Sequence, residues 1–175
     1  MIWPFKKTST PEGQLYAVYN AIVAQSRQTH FYADWAVPDT VTGRFDMISL
    51  HMCVLFRRLR PAPGESKDFA QDLFDLFFKD MDRSLRELGV SDVGVPKKIE
   101  KMGNLFYGLL EKVTFSLDSD DQSGLAATIN RNVFDEGKPD EAVKLAGYLF
   151  EFAAELDKQP LAEIKAGNLK AGAAA

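Results

Sequence analysis

At 175 residues the chain is long enough for one domain with a substantial core, and 46% apolar with 26% charged residues is an ordinary balance for a soluble protein. A formal charge of -4 argues against specific or broad nucleic-acid recognition, which needs a basic face to displace counterions. A single cysteine, Cys53, excludes an internal disulfide framework and suits a reducing compartment, and no apolar run approaches the roughly 20 residues that span a bilayer.

Residues 1–10 read as a flexible segment. Their opening, Met1-Ile2-Trp3-Pro4-Phe5-Lys6-Lys7, is too short in its apolar part for a secretory signal and lacks the character of an organelle transit peptide. A cytoplasmic protein is expected, and Trp and Phe beside two Lys allow peripheral contact with the inner face of the cytoplasmic membrane. The helical pattern then begins, with Thr10 as a cap, Pro11 in the first turn, and Leu15, Val18, Tyr19, Ile22 and Val23 on one face. A short segment over 30–37 is stopped by Pro38 and a turn over 39–43. The spacing predicts a long helix over 44–60, apolar on both sides and therefore central and mostly buried. Ser66 is the expected cap of a helix running to Leu88 and stopped by Gly89. Further helices are expected from Pro96 to Leu117, from Leu125 to Val133, from Pro139 to about Leu156, and for a turn or two after Pro160. No strict alternation marks a strand. The fold class is all-α: a single helical bundle over 11–166 of about six to eight helices, followed by a Gly/Ala-rich tail over 167–175 with little to anchor it.

Catalytic chemistry needs convergent polar groups, and few are present. His30 and His51 lack metal-ligand spacing, His51 sits inside the central helix as a structural histidine, and Cys53 has no basic neighbour to activate it. No glycine-rich phosphate loop occurs. In the cluster from Lys79 to Glu87, Asp80 and Asp82 point to different sides of a helix. Asp82 with Arg86, and Arg83 with Glu87, have the spacing of surface ion pairs. No catalytic residue, cofactor or metal is expected, and the chain reads as a protein that holds a partner.

Two features suggest where. Arg44 sits unfavourably near a helix N-terminus, which calls for a specific partner such as a carboxylate from another helix, whereas Asp46 there suits the dipole. Arg57, Arg58 and Arg60 close the same helix, serving the dipole or facing an anionic surface. The second feature is 13 Phe residues. Most belong in a core, but the stripe around Phe74, Phe77 and Phe78 is wider than one packed face needs, so one or two rings there, or Phe106 and Tyr107, are candidates for an exposed apolar patch.

Phe31-Tyr32, Val37-Pro38-Asp39-Thr40, Gly43-Arg44-Phe45-Asp46, Leu50-His51 and Arg57-Arg58-Leu59-Arg60 together resemble the ubiquinol–cytochrome c chaperone family. A second block runs from Asp80 to Val90 and continues through Asp92, Val95 and Pro96-Lys97-Lys98-Ile99, with Phe106-Tyr107-Gly108 after it. The resemblance implies a non-catalytic assembly factor of ubiquinol–cytochrome c reductase that binds newly made cytochrome b. Mitochondrial members are associated with the ribosome near its exit tunnel and work with a small helper protein; without a transit peptide this chain resembles a bacterial member. Arg44, Asp46, Arg57, Arg58, Phe74, Phe77, Phe78, Asp82, Arg86, Phe106 and Tyr107 are the candidate partner-binding residues, acting there or in bracing the fold. The competing reading is a carrier or sensor of a small lipid such as a quinone, with the same Phe-rich helices lining an enclosed pocket. A metal enzyme at Asp80 and Asp82 is the third.

Overall fold

The computed structural model describes residues 10–60 and 64–171, without the side chains of residues 65 and 66. Among the described residues there are eight helices and no strand: α1 (Glu12–Ser26), α2 (Thr29–Ala33), α3 (Val41–Leu59), α4 (Glu65–Glu87), α5 (Gly94–Asp118), α6 (Gln122–Val133), α7 (Pro139–Lys158) and α8 (Leu161–Lys165). The all-α bundle expected from the periodicity is the observed one.

α3 is the axis. It touches α1, α4, α5, α6 and α7, and the run from Met47 to Leu55 is buried on every side. That is why its sequence is apolar all round, whereas α1, packed on fewer neighbours, buries only Leu15, Val18, Tyr19 and Ile22 among its apolar residues.

Helix boundaries depart from expectation for local reasons. α3 starts three residues early, because Thr40 is the cap and its hydroxyl accepts from the Gly43 N–H at 3.1 Å. Gly43 is required there, since a Cβ would overlap the Pro38 carbonyl oxygen. Thr10 does not cap α1; Pro11 occupies that position, and the Thr10 N–H instead donates to Asp72 on α4 at 3.0 Å. Ser66 lies inside α4, which begins after Gly64 in a left-handed conformation. α6 begins at Gln122, with Asp121 accepting from the Gly124 N–H at 2.8 Å. At the other end of α4 the expected stop is made by Gly89: its N–H reaches Arg86 O at 2.9 Å and the Val90 N–H reaches Leu85 O at 3.0 Å.

The first part of the Gly/Ala-rich tail is tied down. Gln159 donates to Asn168 O at 2.8 Å and accepts from the Lys170 N–H at 2.9 Å, while Leu169 and Ala171 pack on the core. Residues 1–9 and 172–175 lie outside the described residues.

Candidate functional site

Most of the rings singled out in the sequence are sealed. Phe77 and Phe106 are fully buried and Phe74 nearly so, packed among Phe45, Phe56, Phe78 and Tyr19. Phe78 is half-buried, 4.6 Å from Phe74 between ring centroids. The wide stripe on α4 arises because that helix packs on both α1 and α5, not because a face was left over. Of the five, Tyr107 alone stays exposed, at 46%, and it is joined by an unanticipated ring, Phe115, at 67%.

Those two rings border one groove. The C-terminal end of α3, the first half of α4 and the middle of α5 diverge around Phe56, Leu110 and Tyr107, leaving adjoining depressions of 640 and 440 Å³. Phe115 and Thr114 wall one end, and Ala70, Gln71 and Phe74 the other. Phe56 and Leu110, half-buried, are shared by both. The groove opens to solvent along α5, so it does not form the enclosed pocket that a lipid carrier needs.

The charged rim is ordered by Arg57. Its Nε donates to Asp118 at 2.8 Å and its Nη1 to Asp157 at 3.0 Å, fastening α3 to α5 and α7. Burial opposes its charge, but the hydrogen bonds it donates to Asp157 and Asp118 outweigh that and raise its pKa. Arg60 donates to the second Asp118 oxygen at 2.8 Å. The Arg60 hydrogen bond is the main cause holding the Asp118 carboxyl below its ordinary range. Arg58 donates to Leu156 O and Gln159 O, both at 2.9 Å, and so closes the C-terminus of α7. Arg57 and Arg58 are thus structural braces, although Arg57 also lines the groove.

The remaining charged candidates lie elsewhere. Arg44 pairs with Asp39 in the preceding turn at 2.8 Å, not with another helix. Asp46 is half-buried, and burial pushes its carboxyl up to about 7. Asp82 and Arg86 pair at 2.7 Å as their spacing predicts, and Arg86 also holds Asp92 in the α4–α5 turn. Arg83 and Glu87 approach to 3.9 Å. Asp80 is engaged by Tyr19 and Arg83 while Asp82 faces Arg86, and among the described residues no group of three or more metal-ligating side chains converges.

The buried groups are structural too. His51 Nδ1 donates to Met47 O at 2.7 Å, and burial pushes the ring down to about 4, keeping it neutral. Burial also pushes the Cys53 thiol well above its ordinary value. His30 packs against Phe31 and Trp35.

Neither Phe56, Leu110 nor Phe115 was singled out from the sequence. The signal for Phe115 was its place off the apolar stripe of α5: a Phe out of phase with the buried face must look outward.

A family model described as "Ubiquinol-cytochrome C chaperone" matches residues 33–171. The chain belongs to the ubiquinol–cytochrome c chaperone family. Among solved structures, the crystal structure of the Cbp3 homolog from Brucella abortus is similar, with 36% identity, a TM-score of 0.84, and coverage of 93% of this chain and 91% of that chain. A comparison with curated protein sequences returned no match. In this ubiquinol–cytochrome c chaperone the residues that carry the likeness mostly build the framework: Phe31 and Val37 are buried, Gly43 admits the Pro38 carbonyl, and Arg86 with Gly89 shapes the α4–α5 turn. Among the described residues no helix is long and apolar enough to cross a membrane.

Proposed function

We propose that this chaperone is non-catalytic and binds newly made cytochrome b, during biogenesis of ubiquinol–cytochrome c reductase, in the groove between α3, α4 and α5. The observation that carries the reading is the pair Tyr107 and Phe115, exposed at the edges of a floor made by Phe56 and Leu110. A membrane subunit not yet inserted exposes apolar helices. An open groove with rings as anchors and ions at the rim suits an apolar helix laid along it. The Arg57–Arg60–Asp118 cluster supplies that rim and orients what binds. Contact with the inner face of the membrane or with a ribosome is compatible with this role, since the client is made and inserted there.

A photocrosslinking residue at position 115 or 107 should capture cytochrome b in growing cells, and one at position 143, on the exposed side of α7, should not. Ubiquinol–cytochrome c reductase at normal levels in a strain lacking the chaperone would overturn the proposal.

A further inference from the structure

α5 carries its charges on separate sides. At 3.6 residues per turn Lys97, Lys98, Lys101 and Lys112 share one side of the helix, whereas Glu100, Glu111 and Asp118 fall about a quarter-turn away. Glu111 and Asp118 line the groove, so the lysine side is the one turned from it. All four lysines are exposed, and Leu105 stands among them at 54% exposure. Leu88 and Val93, exposed at 60% and 74%, occupy the turn that leads into the helix.

Folding does not call for these lysines. The carboxylates of this corner pair with Arg83 and Arg86, and among the described residues Lys97, Lys98, Lys101 and Lys112 join no ion pair. The first turn of α5 holds no acid, and positive charge near the start of a helix opposes its dipole. Leu105 and Val93 likewise contribute nothing to the buried core. The whole chain carries a formal charge of -4, so a positive stripe on it is local and turns one side of the molecule toward an anionic surface.

We propose that this side of α5 rests on an anionic membrane surface, with Lys97, Lys98, Lys101 and Lys112 at the lipid headgroups and Leu105 and Val93 entering the interface. From Lys97 to Lys112 the stripe runs roughly 22 Å along the helix. Ammonium groups on long apolar stems suit the diffuse charge of headgroups, and apolar side chains set between them favour a bilayer over a nucleic acid. α5 has no arginine, the residue that pairs bidentately with backbone phosphates. With α5 lying along the surface, the groove at its other edge opens beside the bilayer, where an apolar client helix enters it. That consequence rests on the client-binding reading of the groove; the lipid contact itself does not.

The purified chain should sediment with vesicles of phosphatidylcholine and phosphatidylglycerol in equal parts, less so as salt is raised, and not with phosphatidylcholine alone. Lys98→Gln/Lys101→Gln should weaken that binding by about thirtyfold, the worth of two lysines at a membrane surface. Leu105→Asn should weaken it as well. Lys144→Gln/Lys158→Gln removes the same charge from α7 and should leave it unchanged. All five positions are exposed, so circular dichroism should show an unchanged fold. Absence of binding at low salt overturns the inference, as does an equal loss in the two double variants. Retention of a mixed-sequence single-stranded RNA through Lys98 and Lys101, without vesicle binding, also overturns it and gives the face to nucleic acid. Crosslinking at position 115 reads the client separately: capture of cytochrome b by a chain that binds no vesicles removes this inference and leaves the client, and vesicle binding without capture does the reverse.

Discussion

The Nε2 of His51 lies 2.8 Å from the Tyr148 hydroxyl, joining the middle of α3 to α7 inside the core. Because His51 Nδ1 must donate to a carbonyl, Nε2 is the acceptor and Tyr148 gives it the proton of its O–H. The Tyr148 oxygen then accepts from Gln25 Nε2 at 2.8 Å, bringing α1 into the same chain. Three helices are thereby held in one register by a fully directed set of donors and acceptors.

Tyr148→Phe removes the hydroxyl without changing the ring, which packs against Phe31 and Phe152. It leaves the His51 nitrogen without a donor and the Gln25 amide without this acceptor. A loss of about 1–3 kcal/mol is expected. At roughly 2–4 °C per kcal/mol for a protein of this size, the melting temperature should fall by about 2–12 °C. Circular dichroism melts of the two proteins at pH 7 check it.

Asp46 predicts a pH dependence of definite sign. Its folded pKa, about 7, lies above the ordinary 3.8, so between these values the native state holds more protons than the unfolded chain. The protonated carboxyl costs nothing below the unfolded value, and the penalty grows as pH rises, becoming complete above about 7. Asp46→Asn should therefore stabilise the protein by ~1–3 kcal/mol at pH 8 and by clearly less at pH 5. Urea midpoints at the two pH values decide it, and an equal gain at both would show that Asp46 titrates normally.

Two glycines should respond oppositely to the same change. Gly43→Ala drives a methyl into the Pro38 carbonyl at the entrance to α3, and should cost about 1–3 kcal/mol or more. Gly108→Ala, on the exposed side of α5 with nothing within 4 Å of a new Cβ, should gain up to about 1 kcal/mol from helix propensity. Denaturant unfolding of both variants tests the pair.

This contrast also shows what was legible in the sequence. Periodicity, prolines and the Gly89 stop located the helices, because those signals act within a few residues. The Gly43 requirement follows from the backbone path of the preceding turn, and could be seen only as a residue of the family pattern. The groove was half legible. Tyr107 lies off the buried stripe and is exposed, whereas Phe74, Phe77 and Phe106 are buried because α4 packs on two helices at once, which is a tertiary fact. Arg57 and Arg58 were read as binding or bracing; their carboxylate and carbonyl partners lie 61 to 101 residues away, beyond any local pattern.

Those arginines should behave as braces. Arg57, with an 18% exposed side chain, leaves Asp118 and Asp157 without their shared cation when changed to Ala, and should cost about 1–2 kcal/mol. Arg58→Ala should cost a similar amount by uncapping α7. Arg60, with a side chain 58% exposed, should cost less than about 1 kcal/mol when changed to Ala. Urea unfolding of the three variants should show Arg60→Ala as the mildest, and an unchanged midpoint for Arg57→Ala would remove its bracing role.

The groove makes the opposite prediction. Phe115 is 67% exposed and lies outside the buried core, so Phe115→Ser should change stability by no more than about 0.5 kcal/mol. A partner that uses the ring as an anchor would nevertheless lose of the order of 2 kcal/mol, about thirtyfold in affinity. Tyr107→Ser should act in the same direction, and the double variant should lose more than either. The measurement is the steady-state level of ubiquinol–cytochrome c reductase in cells carrying each variant, with the amount of folded chaperone determined alongside. Reductase that falls while the chaperone remains folded and abundant locates the working surface at this groove. Reductase that is unchanged in the double variant moves that surface elsewhere on the molecule, because no ring at the groove's edge would then be contributing.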